Sequence, residues 1–249
     1  MVVNGVHEVG VDEAGRGPAI GPLVVCALCV PSSDRSVLNE LGVDDSKKLS
    51  RKKREHVFGR ICSISEERNW GIGLIICDAE KIDEWMVSGT INTLETKLFA
   101  EAILEAAKDV RECKIIVDAC DVNESRFGKG VSENLGDGWG GCEIVSKHGM
   151  DSEDVVVGAA SIIAKVNRDS EINKISREIG MDVGSGYPSD PKTKDAIEKL
   201  CSGVTPHGSL RWGWANVQRS WIKQNKMPMP RRSPEQGDWA QSTLVDWEK

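Results

Sequence analysis

The chain has 249 residues, of which 39% are hydrophobic and 29% charged, with eight cysteines and a formal net charge of −7. This length and apolar content suit one large domain or a domain with an appended subdomain. No apolar run reaches spanning length, so a membrane partner is not expected, and the acidic balance argues against indiscriminate binding of nucleic acid. The first residues lack the basic and apolar regions of a secretory signal, so a cytoplasmic protein with reduced, scattered thiols is expected.

In chain order, residues 6–11 alternate apolar and small or polar groups and read as a strand, and Asp12 and Glu13 fall where it ends. Adjacent carboxylates repel and are costly to hold ionised in a partly buried place unless a cation neutralises them, which suits a hard divalent ion. Gly15 and Gly17 flank Arg16 ahead of Pro18. Glycines there let backbone N–H groups face an anion, and Arg16 adds a fork suited to phosphate. Acids beside such a turn suggest phosphoryl-transfer chemistry; a solvated acid pair before an ordinary turn is the alternative. Residues 23–30 form a second apolar strand, and the Cys26–Cys29 pair within it has no second pair at zinc spacing, so both read as packed thiols.

Ser50 is placed to cap a helix over 51–61. Lys47, Lys48, Arg51, Lys52, Lys53 and Arg54 form a basic patch at the helix end where the macrodipole disfavours cations, which hints at an anionic partner. Residues 70–77 read as a third strand and 78–86 as a short helix. Thr90 then caps a longer helix with a stripe of Leu94, Leu98, Ala102 and Leu104, where Asn92 either meets a ligand or supports the cap. Residues 113–118 form a buried strand that closes on Asp118, repeating the placement of Asp12. Side-by-side strands would bring these acidic ends together.

Residues 121–141 suggest a short helix and a loop, and 142–146 a returning strand. Residues 155–166 are apolar nearly all round and rich in small side chains, predicting a central helix that continues to about residue 179. Asp151, just ahead of it, is either an N-terminal charge or a metal ligand. A Gly/Pro-rich loop over 184–191 carries Tyr187, the chain's one tyrosine, a ring able to stack on a sugar or base. Helices are expected over 192–201 and 214–224. Residues 226–235, with Pro228, Pro230 and Pro234, read as an extended linker.

Five stretches together resemble type 2 ribonuclease H, or ribonuclease HII, in its archaeal and eukaryotic catalytic-subunit branch. They are Gly10-Val11-Asp12-Glu13-Ala14-Gly15-Arg16-Gly17-Pro18, Asp45-Ser46-Lys47-Lys48-Leu49, Val117-Asp118, the run from Ala159 to Val166, and the run from Gly184 to Lys194. The resemblance implies an α/β, ribonuclease H-like fold: a mixed five-stranded sheet flanked by helices, with a helical C-terminal extension. It divides the chain into a catalytic core (1–180), a helical extension with a substrate-contacting tyrosine loop (181–225), and a Pro-rich linker with a tail (226–249).

The resemblance further implies a monomeric endonuclease of replication and ribonucleotide excision repair. It would cut RNA in RNA·DNA hybrids, and 5′ to ribonucleotides embedded in duplex DNA, leaving 3′-hydroxyl and 5′-phosphate ends. Asp12, Glu13, Asp118 and Asp151 match its catalytic metal-binding carboxylates, for two Mg²⁺ or Mn²⁺ ions. Asp154 is the alternative fourth ligand, because the Tyr-Pro usual before the small-residue helix is replaced by Asp154-Val155. Gly15, Arg16, Gly17 and Tyr187 match its substrate contacts, and Lys47 is expected to add a phosphate contact.

The stretch from Gln241 to Trp247 resembles the peptide by which replication proteins grip a sliding clamp, with Gln241, Leu244 and Trp247 as anchors; Glu248 stands where a second aromatic is usual. Two rivals remain: a non-catalytic nucleic-acid-binding module of the same fold, and a nucleotide hydrolase using the glycine turn, which here lacks the lysine and hydroxyl of a P-loop.

Overall fold

The computed structural model describes residues 7–43, 49–108, 110 and 112–232. Its centre is one mixed sheet of five strands: β1 (His7–Ala14), β2 (Leu23–Pro31), β3 (Gly71–Cys77), β4 (Cys113–Asp118) and β5 (Glu143–Lys147). They lie in the order β3-β2-β1-β4-β5. The first three strands pair antiparallel, while β4 runs parallel to β1 and β5 parallel to β4. The carboxyl ends of β1 and β4 therefore meet.

The helices in chain order are α1 (Arg35–Glu40), α2 (Arg51–Arg68), α3 (Ala79–Trp85), α4 (Ile91–Ala106), α5 (Glu124–Leu135), α6 (Met150–Glu153), α7 (Val155–Ile179), α8 (Pro191–Leu200) and α9 (Ala215–Asn225). Strand β2 is apolar on both sides and buried at every residue but its last, so both sheet faces must be covered. On one face Val9, Val11, Ile115 and Val117 pack on α4 and α5 through Leu98, Phe99 and Phe127. On the other, Val24, Leu28 and Val30 pack on α1, α2 and α7 through Leu38, Ile61 and Ile163. Cys26 and Cys29 fall into these opposite layers, so they cannot share a ligand.

The long helix α7 lies against β1 at Gly10. A Cβ on that residue would stand 2.4 Å from the carbonyl carbon of Val156 and 2.5 Å from the amide nitrogen of Val157. Only a strand position without a side chain admits the helix backbone so closely, and this contact fixes where the N-terminus of α7 sits.

Most predicted elements are present, with informative departures. Leu94, Leu98 and Ala102 face the core as expected, but Leu104 is 40% exposed. It stands about 200° around the helix from Ala102, and Phe99 and Ile103 complete the stripe instead. Helix α2 runs to Arg68, seven residues beyond the expected end, because its last two turns are largely polar and Ser65 is the buried residue there. The short helices α1 and α6 carried no periodic signal.

A third apolar cluster joins α8 and α9 to the end of α7 through Ile172, Ile197, Trp212 and Trp221, and it includes Ala19 and Ile20 from the glycine turn's far side. Residues 226–232, expected as extended linker, are docked. Trp221 donates to the Pro228 carbonyl at 3.0 Å, and Arg232 pairs with Asp83 at 3.0 Å while lying 4.3 Å over the Trp212 ring. One arginine with an acidic and an aromatic partner outweighs the spacer tendency of the prolines.

Candidate metal centre and substrate loop

The parallel register pairs Val11 with Val117, so the next residues, Asp12 and Asp118, stand side by side on the α7 face. Asp151 joins them from α6, immediately ahead of α7. One carboxylate oxygen from each of the three lies within 4.8 Å of the others. Asp12 and Asp151 are buried and Asp118 half-buried. Asp154 is occupied elsewhere: it caps α7 by accepting from the Val156 and Val157 amides at 2.9 and 3.2 Å, and pairs with Arg35 at 2.8 Å. The geometry thus groups Asp151, and not Asp154, with the strand-end acids.

Glu13 is one residue further along β1 and points to the opposite face. There its carboxylate accepts from the Cys120 thiol at 3.0 Å and lies near Glu95 of α4. The Glu13 carboxylate nonetheless interacts directly with that of Asp12, and its charge reaches Asp118, so the four acids act on one another at the strand ends.

Burial, followed by the charges of Glu13 and Asp118, raises Asp12 well above the usual carboxylate range; a hydrogen bond with Ser161 of α7 partly offsets this. Asp118 is pushed up to about 6, first by burial and then by Glu13 and Asp151. Burial and Glu13 also raise the Cys120 thiol, which stays protonated as a donor. An all-oxygen donor set of one charge sign, buried enough to resist ionisation, fits a hard divalent cation better than a soft one. The residues present therefore fit Mg²⁺ or Mn²⁺.

The turn after β1 begins at Gly15, whose φ of +96° suits glycine and whose Cβ, were there one, would meet the Pro22 carbonyl at 2.6 Å. Arg16 points inward. Its guanidinium donates to Glu95 at 2.5 Å, Asn92 at 2.6 Å and the Cys120 carbonyl at 2.7 Å. Asn92 is thus an acceptor for Arg16, while Thr90 and Thr93 form the capping box of α4. Gly17 lies beneath Tyr187: a Cβ there would be 3.6 Å from the ring's Cε1. Tyr187 is 37% exposed, and the Arg168 guanidinium carbon lies 5.2 Å from its ring centroid. From Tyr187 a groove of ≈ 1280 Å³ runs past Arg51, Arg54, Lys165, Arg177 and Lys192. Lys47 and the tail residues Gln241, Leu244 and Trp247 lie outside the described residues.

Sequence reasoning passed over Glu95, Cys120, Ser161, Arg168 and Arg211. For Glu95 a signal existed: an acid set between Leu94 and Leu98 on the buried side of α4, fully buried and pushed up to about 8 by burial and by Glu13. Arg16 opposes that rise.

A family model described as Ribonuclease HII matches residues 9–217. The Ribonuclease HII of Pyrococcus furiosus is 42% identical over 214 residues, covering 84% of this chain and 89% of the relative. The crystal structure of the ribonuclease H2 from Pyrococcus horikoshii OT3 matches with a TM-score of 0.77 at 33% identity, covering 89% of this chain and 100% of that one. The RNase HII of a PCNA:RNase HII complex from Archaeoglobus fulgidus matches with a TM-score of 0.72 at 35% identity, over 84% and 95% of the two chains. With its mixed sheet and paired acidic strand ends, the chain belongs to the ribonuclease HII family, metal-dependent endonucleases that hydrolyse RNA in RNA·DNA hybrids.

Proposed function

We propose that this chain also cuts duplex DNA at single embedded ribonucleotides, on their 5′ side, leaving a 3′-hydroxyl and a 5′-phosphate. The observation that carries the reading is the trio Asp12, Asp118 and Asp151, with oxygens within 4.8 Å of one another at the end of β1, where the Gly15–Gly17 turn begins. These three, with Glu13 reaching from the other face, would hold two Mg²⁺ or Mn²⁺ ions. Such ions, when bound, supply Lewis acidity that activates a water and stabilises the attacking and departing oxygens of an in-line displacement.

The chain's own groups divide the remaining work. Ser161 orients the Asp12 carboxylate by its hydrogen bond. Because the Arg16 guanidinium is turned toward Glu95 and Asn92, the turn meets the ribonucleotide and its adjacent phosphate chiefly through backbone N–H groups. The Tyr187 ring, half-exposed above Gly17, packs against the sugar at the RNA–DNA junction. The ribose 2′-hydroxyl is the group by which RNA is told from DNA at one position. Arg51, Arg54 and Lys165 in the groove beyond Tyr187 would follow the duplex backbone, with Lys47 as a further phosphate contact. No cysteine or histidine nucleophile enters, and Cys120 remains a thiol donor to Glu13.

The structure of the Archaeoglobus relative in complex with PCNA supports reading Gln241, Leu244 and Trp247 as a clamp-binding peptide here. Incubating the purified chain with a duplex carrying one ribonucleotide, with and without Mg²⁺ or Mn²⁺, and mapping the ends tests the reading. A metal-dependent cut 5′ to the ribonucleotide is expected; an intact duplex beside a degraded hybrid would refute it.

A further inference from the structure

Behind the Gly15–Gly17 turn sits Arg211, contributed by the segment between α8 and α9 and fully buried. Its guanidinium donates to three carbonyl oxygens of one loop: Gly15 at 2.5 Å, Arg16 at 2.8 Å and Gly21 at 3.0 Å. The Trp214 ring lies 5.0 Å from its guanidinium carbon. The backbone of the same segment continues the grip, with Arg211 N–H donating to the Ala19 carbonyl and Gly21 N–H to the Ser209 carbonyl, both at 2.9 Å.

A trans peptide is planar and carries its C=O and N–H on opposite sides. Holding the Gly15 and Arg16 carbonyls therefore turns the Arg16 and Gly17 N–H groups away from Arg211, in a turn whose Gly17 lies under the Tyr187 ring. A second buried arginine, Arg168 of α7, donates to the Ser185 carbonyl, lies against the Tyr187 ring and brings its Cγ within 3.3 Å of where a Gly15 Cβ would be. Arg211 thus holds the turn by its carbonyl oxygens, while Arg168 packs on Gly15 and on the tyrosine loop. The Ala19 amide donates to the Gly186 carbonyl at 2.8 Å, which ties the two loops directly.

We propose that Arg211 is a positioning residue for ribonucleotide selection: by capturing the carbonyl oxygens of Gly15, Arg16 and Gly21 it fixes the direction of the N–H groups presented beneath Tyr187. The inference rests on the ribonucleotide reading above and adds to it the residue that sets the turn's orientation. Arg211 touches neither substrate nor the carboxylates. Its effect falls on choice between substrates rather than on the hydrolytic step.

The test compares cleavage of a one-ribonucleotide duplex with that of an all-RNA·DNA hybrid in the wild type, Arg211→Gln and Arg211→Lys. A loop displaced by even an ångström costs a reaction that depends on it about 10- to 100-fold. The ratio of kcat/KM on the single-ribonucleotide duplex to that on the hybrid should fall by that much in Arg211→Gln. Arg211→Lys, able to reach fewer carbonyls, should fall between. Trp221→Leu, in the same C-terminal cluster but bonded to the Pro228 carbonyl rather than to the turn's carbonyls, controls for plain destabilisation, with all rates read below each variant's melting temperature. A ratio unchanged in Arg211→Gln, or lowered equally in Trp221→Leu, overturns the proposal. Hydrogen exchange over residues 12–22 needs no substrate: faster exchange at Arg16 and Gly17 in Arg211→Gln is expected, and unchanged exchange overturns the proposal even where the wild type ignores single ribonucleotides.

Discussion

Two neighbouring regions of this protein bury charge in opposite ways. On the α7 face of β1, Asp12, Asp118 and Asp151 bring like charges together, and burial with mutual repulsion raises Asp12 and Asp118. Behind the following turn, Arg211 is buried as deeply, yet each side of its guanidinium meets a carbonyl oxygen. A buried charge satisfied by the protein holds shape, whereas one facing its own kind is unstable until a ligand of opposite sign arrives. The first region is built to bind, and the second to keep the binding surface still.

The contrast is broken most severely at Asp12. Asp12→Asn should lower cleavage by about 1000-fold or more while leaving duplex affinity in a gel-shift assay near the wild-type value. It should also raise the melting temperature of the metal-free protein, since it removes one of the repelling charges. Normal turnover by this variant in Mg²⁺ would overturn the assignment of the acids.

Tyr187→Ala tests the still surface. Removing one stacking ring should reduce preference for a single embedded ribonucleotide by about tenfold, with hybrid cleavage less affected. Equal loss on both substrates would place the ring outside recognition.

A smaller effect should appear in stability against pH. The folded-state value of Asp118 is raised to about 6 and that of Asp12 is raised as well, so the stability tied to their neutral forms is complete below the ordinary carboxylate range and declines as pH rises through about 6. Metal-free protein should therefore melt a few degrees lower at about pH 7.5 than at about pH 5, and saturating Mg²⁺ should close the gap by binding the ionised acids. Asp34, Asp121, Asp182 and Asp190, held low by hydrogen-bonding partners, titrate below this window and act in the opposite direction. A metal-free melting temperature that rises across the window would contradict the burial of the trio.

The least effect on catalysis is expected from deleting residues 241–249, which should abolish binding to a sliding clamp in a pull-down and leave cleavage unchanged. Retained clamp binding would remove the role given to Gln241, Leu244 and Trp247.

What was legible in the sequence follows from locality. Asp12 and Asp118 each close an apolar run, so their placement at strand ends could be read from neighbours alone, and the parallel pairing of β1 with β4 did the rest. Glu13 stays within reach of Asp12, as adjacency in sequence suggested, while strand alternation also brings it to Cys120 and Glu95. Arg211 carried no such signal, because its partners are carbonyl oxygens 190 to 196 residues away. The inward turn of Arg16 was hidden for a related reason: its acceptors lie on α4 and after β4, beyond any periodic pattern.

The packing of α7 on β1 at Gly10 also bears on how the acids are spaced. Because Val156 and Val157 rest on bare strand backbone, the interval from Asp12 across to Asp151 is measured out by main-chain atoms, which do not change rotamer. A single methyl group at position 10 would push the start of α7 off the strand and carry Asp151, just ahead of it, away from Asp12.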